Sequence, residues 1–236
     1  MKMISTTHRV DQNEAMDDFS LQGVQLKDAL DKIAKINRFL GGNRVTLQGI
    51  ADLLKNIPKE RVIHIADIGC GNGDMLRVLA DYGKNHGWKF HLTGIDANQY
   101  TLDYAKIQSK GYENIDFKCQ DILASNSKTN YDILLFTLTL HHFKNDEIKS
   151  LLKKLIPFTS IGIIINDLHR HKVAYTLFLA ICFIFRLNSL SKDDGLISIL
   201  RGFKKQELKT FTRKIKGNHS IKWKWAFRYQ WIISKT

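Results

Sequence analysis

The residues best placed to do chemistry begin at Asp67-Ile68-Gly69-Cys70-Gly71-Asn72-Gly73, directly after the apolar run Val62-Ile63-His64-Ile65-Ala66. Glycine adopts backbone dihedrals closed to other residues and lets a ligand approach the main chain. A helix starting after such a loop presents unpaired N–H groups at its first turn. Asp96 ends the next apolar run, where a carboxylate can accept hydrogen bonds from two ribose hydroxyls. Together these residues describe a nucleotide-binding turn, and their spacing narrows the ligand. A dinucleotide fingerprint reads G-x-G-x-x-G and seats a pyrophosphate on the helix. Here the pattern is D-x-G-x-G-x-G, with Asp67 before the first glycine and Asp74 after the last. Two carboxylates repel a pyrophosphate and suit a ligand that carries an ammonium and a sulfonium. A P-loop is excluded, because no Gly-Lys-Ser/Thr follows.

Two other clusters have acid–base capacity. His141 and His142 stand just past a predicted fourth strand, at the carboxyl edge of the sheet where ligands bind in open α/β folds. Histidine titrates near neutral pH, so either is a candidate general base; the competing reading has both packing locally within the loop. Asn166-Asp167-Leu168-His169-Arg170-His171 follows the fifth predicted strand. Asp167 and His169 are candidates for a base and its orienter, and Arg170 for holding an anionic acceptor. The alternative is a capping turn with Asp167 as the helix cap.

The elements that must position these groups follow from periodicity. Strand and helix signals alternate from Arg61 onward, with strands at 62–66, 90–95, 115–119, 131–137 and 161–165, which argues for a mainly parallel sheet with helices on both faces. Helical spacing over Glu14–Leu40, broken at Gly41-Gly42-Asn43, and a short helix over Leu47–Leu54 predict an N-terminal helical extension over residues 1–58. The run Val173–Phe185 is uncharged and apolar but short of the roughly 20 residues that span a bilayer, so it reads as a buried helix or an active-site lid. A helix is expected over about Lys204–Ile215. The end, Ile221–Ser234, puts Trp223, Trp225, Phe227, Tyr229 and Trp231 on one side at period two and reads as one terminal strand.

Composition sets outer limits. The chain has 236 residues, 44% of them apolar, enough to bury a sizeable core, and no proline-rich linker. Cys70, Cys119 and Cys182 form neither a disulfide framework nor a zinc pattern, which fits a reducing cytoplasm, and the polar start lacks a secretory signal. The net charge of +13 is spread along the chain; it fits a lysine-rich cytosolic protein and also a partner such as nucleic acid or an anionic membrane surface.

On these motifs, residues 61–166 resemble the core of the class I S-adenosylmethionine-dependent methyltransferases. Asp67–Gly73 matches that family's first motif and Asp96 its ribose-binding acid. Gln120-Asp121-Ile122 matches the segment whose acid contacts the adenine amino group, and Tyr131–Leu134 through Leu140–Phe143 the fourth strand and its loop. The resemblance implies an α/β, Rossmann-like fold: a seven-stranded, mostly parallel sheet with an antiparallel last strand at about Trp225–Ser234. Helices lie on both faces, and a helical lid insertion of about 168–203 interrupts a domain over 59–236. It implies S-adenosylmethionine as cofactor, S-adenosylhomocysteine as product and no metal, with Asp67, Gly69, Cys70, Gly71, Asn72, Gly73, Asp96, Ala97, Gln120, Asp121, Ile122 and Thr137 around the cofactor.

Residues 166–170 with Asp194-Gly195, Ser198, Arg201 and Phe203 resemble more loosely a bacterial subgroup acting on small aromatic, quinone-like or polyketide-derived acceptors. That resemblance makes Val173–Phe185 the wall of a greasy acceptor pocket, with Tyr175 and Phe178 beside Arg170 as substrate-binding candidates. The expected function is methyl transfer to a small hydrophobic acceptor, most simply at oxygen, by a cytoplasmic protein with a candidate peripheral membrane contact. The runner-up is an RNA methyltransferase using the basic surface. Phe136-Thr137-Leu138-Thr139 stands where amino-directed nucleic-acid enzymes carry Asn/Asp-Pro-Pro-Tyr/Phe, which counts against it. A non-catalytic membrane-surface protein ranks third, because the cofactor motifs are intact.

Overall fold

The alternating apolar runs become strands β1 (Val62–Ile68), β2 (Lys89–Asp96), β3 (Ile115–Cys119), β4 (Tyr131–Thr137), β5 (Thr159–Leu168), β6 (Asn218–Lys224) and β7 (Arg228–Ser234). This is seen in a computed structural model that describes residues 4–125 and 128–235. The first three residues of the predicted extension and the last residue of the predicted domain lie outside the described residues. The strands form one seven-stranded sheet in the order β3-β2-β1-β4-β5-β7-β6. Strands β1 to β5 are parallel, and β7 inserts antiparallel between β5 and β6. The expected Rossmann-like sheet with an antiparallel last strand is therefore present.

Period two along the central strands divides the core into two layers. Ile63 and Ile65 of β1 face one way with Leu92, Ile133, Leu135 and Ile164. They pack under α2 (Gly42–Leu54) and α3 (Asp74–His86) through Ile50, Leu54, Leu76 and Leu79. Ala66 and Ile68 face the other way with Phe136, Ile163 and Trp231, under α5 (Asn145–Leu155) and α8 (Lys205–Thr212). Helix α4 (Gln99–Gln108) follows β2, its start fixed by the Asn98 side chain accepting from the Thr101 N–H at 3.1 Å.

Several sequence expectations change. The predicted helix over 14–40 is only α1 (Val24–Phe39), because Gly23 at φ +107° interrupts the chain ahead of it. Residues 4–23 instead run as a strap with a single 3-10 turn at Ala15–Asp17. Helix α2 is not an appendage: Ile50 is fully buried against β5 and β7, so residues 42–54 are one of the layers covering the sheet. Strand β5 continues through Leu168, which puts Asp167 inside the strand; the cap of the next helix is His171, whose Nδ1 accepts from the Val173 N–H. The single terminal strand is a hairpin of β6 and β7. Helix α6 (Lys172–Ile184) buries only Cys182, with Phe183 86% and Ile184 70% exposed. It packs on α7 (Ser189–Arg201) as a lid with an apolar outer surface. No helix among the described residues is long and apolar enough to cross a membrane.

If α2 is a core layer, Ile50→Ala should cost about 3 kcal/mol of unfolding free energy in denaturant titration. A loss below about 1 kcal/mol, the range of substitutions outside a packed core, would instead mark residues 1–58 as a dispensable cap.

Candidate cofactor and acceptor site

The turn after β1 is built by backbone geometry. Gly69, Gly71 and Gly73 all lie in the left-handed region, at φ +70°, +53° and +75°. A side chain on Gly69 would also stand 2.5 Å from Thr139 Cγ2. The loop is stapled to β2 by Gly69 and Cys70 N–H groups donating to the Ile95 carbonyl at 2.8 and 3.2 Å. Gly71 N–H donates to Asp96 Oδ2 at 3.0 Å, and Asn98 N–H to Asp96 Oδ1 at 3.0 Å. These contacts hold the Asp96 carboxylate beside the loop, where ribose hydroxyls would reach it.

A cavity of about 830 Å³ opens over this turn. Of the expected cofactor residues, Asp67, Gly69, Cys70, Gly71, Asn72, Asp96, Ala97, Gln120, Asp121, Ile122 and Thr137 line it. Gly73 stands outside the lining, where its left-handed conformation starts α3. Asp121 accepts from the Leu123 N–H at 2.8 Å, which fixes its loop at the far end of the cofactor groove. The two acids flanking the glycines have different fates. Asp74 is held by Arg38 at 2.6 Å and Asn43 at 2.9 Å and ties the N-terminal helices to α3. Asp67 is buried with Oδ1 unpartnered. Burial first, and then the charges of Asp96 and Asp74, push its carboxyl up to about 8.

The other end of the cavity, under α6, is apolar, walled by Leu177, Phe178 and Ile181, while Leu30 of α1 lies over the glycine turn, 3.4 Å from where a Cβ on Gly71 would stand. Phe178 lines the cavity, and its ring packs over Gly195, where a Cβ would be 2.3 Å away. Tyr175 is not among the lining residues. Arg170 is displaced from its expected role: it is fully buried and its guanidinium is saturated. It donates to the carbonyls of Thr6, Thr7 and Gly202 and forms a two-pronged pair with Glu207, leaving no donor for an acceptor.

Between the two ends lies a cluster that the sequence half disclosed. His141 Nδ1 meets Asp167 Oδ1 at 2.7 Å, and the His141 N–H donates to Asp167 Oδ2 at 3.0 Å. Burial alone would raise the Asp167 carboxyl, but the charge and hydrogen bond of His141 hold it below its ordinary value. His142, a quarter exposed, pairs through Nδ1 with Asp17 Oδ1 at 2.6 Å. Glu14 lies over both rings, 3.6 Å from His141 Nε2 and 3.9 Å from His142 Nε2, with Ser198 Oγ donating to it at 2.7 Å. Burial pushes the Glu14 carboxyl up to about 7. Asp167 thus orients His141 rather than His169. His169 also lines the cavity, but its Nδ1 accepts from Trp223 Nε1 at 3.2 Å, and burial, with His171 nearby, lowers its pKa to about 4. Sequence reasoning does not reach Glu14 and Asp17, which sit in a polar strap whose partners are more than a hundred residues away, and it names Arg201 only within the looser resemblance, without a role at the site.

A crevice at the carboxyl ends of β1, β2 and β4, lined by a glycine turn and a ribose-side acid, defines a Rossmann-like nucleoside-binding protein. Residues 65–160 match the family model described as a methyltransferase domain. Among relatives, the chain is 30% identical over 133 residues to (S)-tetrahydroprotoberberine N-methyltransferase of Eschscholzia californica, covering 55% of this chain and 34% of that one. It is 31% identical over 81 residues to ubiquinone biosynthesis O-methyltransferase of Coxiella burnetii, covering 34% and 32%. The chain thus spans about a third of the length of these curated relatives. In fold it is similar to the plantazolicin methyltransferase BpumL in complex with SAH, with TM-score 0.65, 18% identity, and 90% and 96% of the two chains covered. It is also similar to magnesium protoporphyrin IX methyltransferase from Synechocystis PCC 6803 with bound SAH, with TM-score 0.54, 16% identity, and 83% and 84% covered.

The raised Asp67 carboxyl makes a pH prediction. Its folded pKa lies above the unfolded one, so the stability it contributes is full below about pH 4 and is lost as pH rises through about 8. Asp67→Asn cannot ionise. Its melting temperature relative to the parent should therefore rise steadily from pH 4 to pH 8, read by differential scanning fluorimetry without ligand. A difference that does not change with pH would contradict the unpartnered burial of Asp67.

Proposed function

We propose that the chain binds S-adenosylmethionine along Asp67–Asn72, Asp96 and Gln120–Ile122 and transfers its methyl group to a small hydrophobic acceptor, at oxygen. The observation that carries this reading is one cavity with two unlike sides. Glycine-loop backbone and Asp96 lie on the β1–β2 side with Leu30 of α1 over the turn, apolar side chains of α6 lie on the β5 side, and the Glu14–His141–His142 cluster stands by the loop after β4 between them. The orphaned Asp67 Oδ1 and the Asp96 carboxylate suit a ligand with a cationic methionine part and a ribose. The cofactor supplies the activated methyl; the chain's residues bind, align and exclude water.

For a hydroxyl acceptor the attacking oxygen must lose a proton. His142 is the catalytic residue we assign to receive it, because it faces the cavity and is braced by Asp17. His141, clamped by Asp167 and buried, is a positioning residue for the loop that carries His142. The apolar outer surface of α6, bordered by Lys172 and Arg186, supports both a lipophilic acceptor and peripheral contact with an anionic membrane surface. Phe183→Glu should then lower co-sedimentation with anionic phospholipid vesicles; equal sedimentation of parent and variant would remove the membrane contact.

The deciding assay is transfer of a labelled methyl group from S-adenosylmethionine to a panel of lipophilic phenols, quinols, lipid extracts and total RNA. Label should enter the phenols and quinols, and label in RNA alone would favour the basic surface and the exposed Trp223 and Trp225 as the working site. Asp96→Ala should abolish cofactor binding in calorimetry while the far-ultraviolet spectrum stays unchanged. His142→Ala should lower kcat by a factor of about 10² to 10⁴ with little change in cofactor affinity. Full turnover in that variant would place the proton acceptor elsewhere.

A further inference from the structure

The cluster between the two ends of the cavity has a second property that proton transfer does not explain. Asp167 takes the Nδ1 side of His141 and Asp17 the Nδ1 side of His142, so in both neutral rings the lone pair is on Nε2. One ligand atom from each of Glu14, His141 and His142 lies within 4.8 Å of the other two, with His141 Nε2 3.6 Å from Glu14 Oε1 and His142 Nε2 3.9 Å from Glu14 Oε2. His141 Nε2 and Glu14 Oε1 are buried and have no hydrogen-bond partner. Leaving two such groups unsatisfied in the interior is costly, and neither is open to water, so bulk solvent does not repair the deficit. A histidine whose outer nitrogen is held by a carboxylate while its inner nitrogen converges on other donors is the usual arrangement around a metal ion. Here it occurs twice.

From this geometry we infer that Glu14, His141 and His142 form a three-donor site for one divalent transition-metal ion of the zinc type. Two imidazoles and a carboxylate select such an ion over magnesium or calcium, which prefer oxygen donors alone. With His141 Nε2 3.6 Å from Glu14 Oε1 and His142 Nε2 3.9 Å from Glu14 Oε2, the carboxylate has an oxygen to turn toward a centre shared with both imidazoles, at the donor distance of about 2.1 Å that zinc takes. The surrounding charge allows it. Asp17, Asp167 and, once it holds an ion, the Glu14 carboxylate supply negative charge against the guanidiniums of Arg201, 3.8 Å from Glu14 Oε1, and of Arg9, which donates to the His141 carbonyl. A dication would also cross-link the strap, through Glu14, to the loop after β4.

Ion and proton compete for the same His142 lone pair, so the ion-free form is the one that the proposed methyl transfer uses. The binding measurement below does not depend on turnover, so the two readings fail separately. Chelator-treated full-length protein would be titrated with Co²⁺ and with Zn²⁺ by calorimetry, with the visible absorption of bound Co²⁺ as a second signal. The expected result is saturation at one ion per chain, a visible Co²⁺ band and a rise in melting temperature with ion concentration. Glu14→Gln keeps the shape and can still accept from Ser198; it should weaken affinity at least tenfold while leaving the ion-free melting temperature near that of the parent. His142→Gln should do the same and shift the Co²⁺ band. Absence of saturable binding by the parent at millimolar ion would overturn the inference, and so would equal affinity in parent and Glu14→Gln.

Discussion

Everything in the site depends on how β1 ends. The sheet delivers the chain at Ile68 beside β2, and the next residues must turn back into α3 while their N–H groups still point at β2. Only a left-handed backbone at Gly69, Gly71 and Gly73 does this, and Thr139 packs too close to Gly69 for any side chain there. The same turn fixes Asp96 through Gly71 and leaves Asp67 buried beneath the loop without a partner for Oδ1. The cavity is the space that this reversal cannot fill. Its lining, glycine-turn backbone with Asp96 on one side and the apolar face of α6 on the other, follows from which helices then cover it.

Those covering elements are held by arginines that grip backbone. Arg170 binds the carbonyls of Thr6 and Thr7, Arg9 those of His141, Phe143 and Arg201, and Arg201 those of His141 and His142 together with the Asp17 carboxylate. Asp194 completes the hold by accepting from the Ala15 and Met16 N–H groups at 2.8 and 3.0 Å. The strap is thereby fixed tightly enough to place Glu14 and Asp17 over the two histidines. For its length it contributes few apolar contacts; its position is set by directional bonds.

What the sequence disclosed follows the range of the interactions. The β1 turn, Asp96 and the alternation through β5 are local patterns, and they appear where spacing puts them. The strap was not legible, because Glu14 meets Ser198 and Asp17 meets Arg201, each across 184 residues. Period two along residues 221–234 hid the β6–β7 turn, since Trp225-Ala226-Phe227 continues the alternation without a turn residue. Nor does alternation show that both sides of β7 are buried. That strand lies inside the sheet and under α2, so Gln230 is buried, donating to the Val45 carbonyl at 2.7 Å, and Arg228 is buried as well. The run Val173–Phe185 has no polar face to reveal its orientation, so its partial exposure could only be seen in three dimensions.

The strap also sets an order of assembly. It precedes the sheet in the chain, yet its anchors at Arg170, Asp194 and Arg201 come after the whole parallel sheet. A nascent chain can form β1 to β4 and the glycine turn before the residues that lock the strap exist. During that interval the groove stands open and Glu14 has no fixed position. Closure over such a sequence distance is slow compared with local folding, so the wall that the strap gives the cavity is completed after the glycine turn, whose contacts to β2 are local.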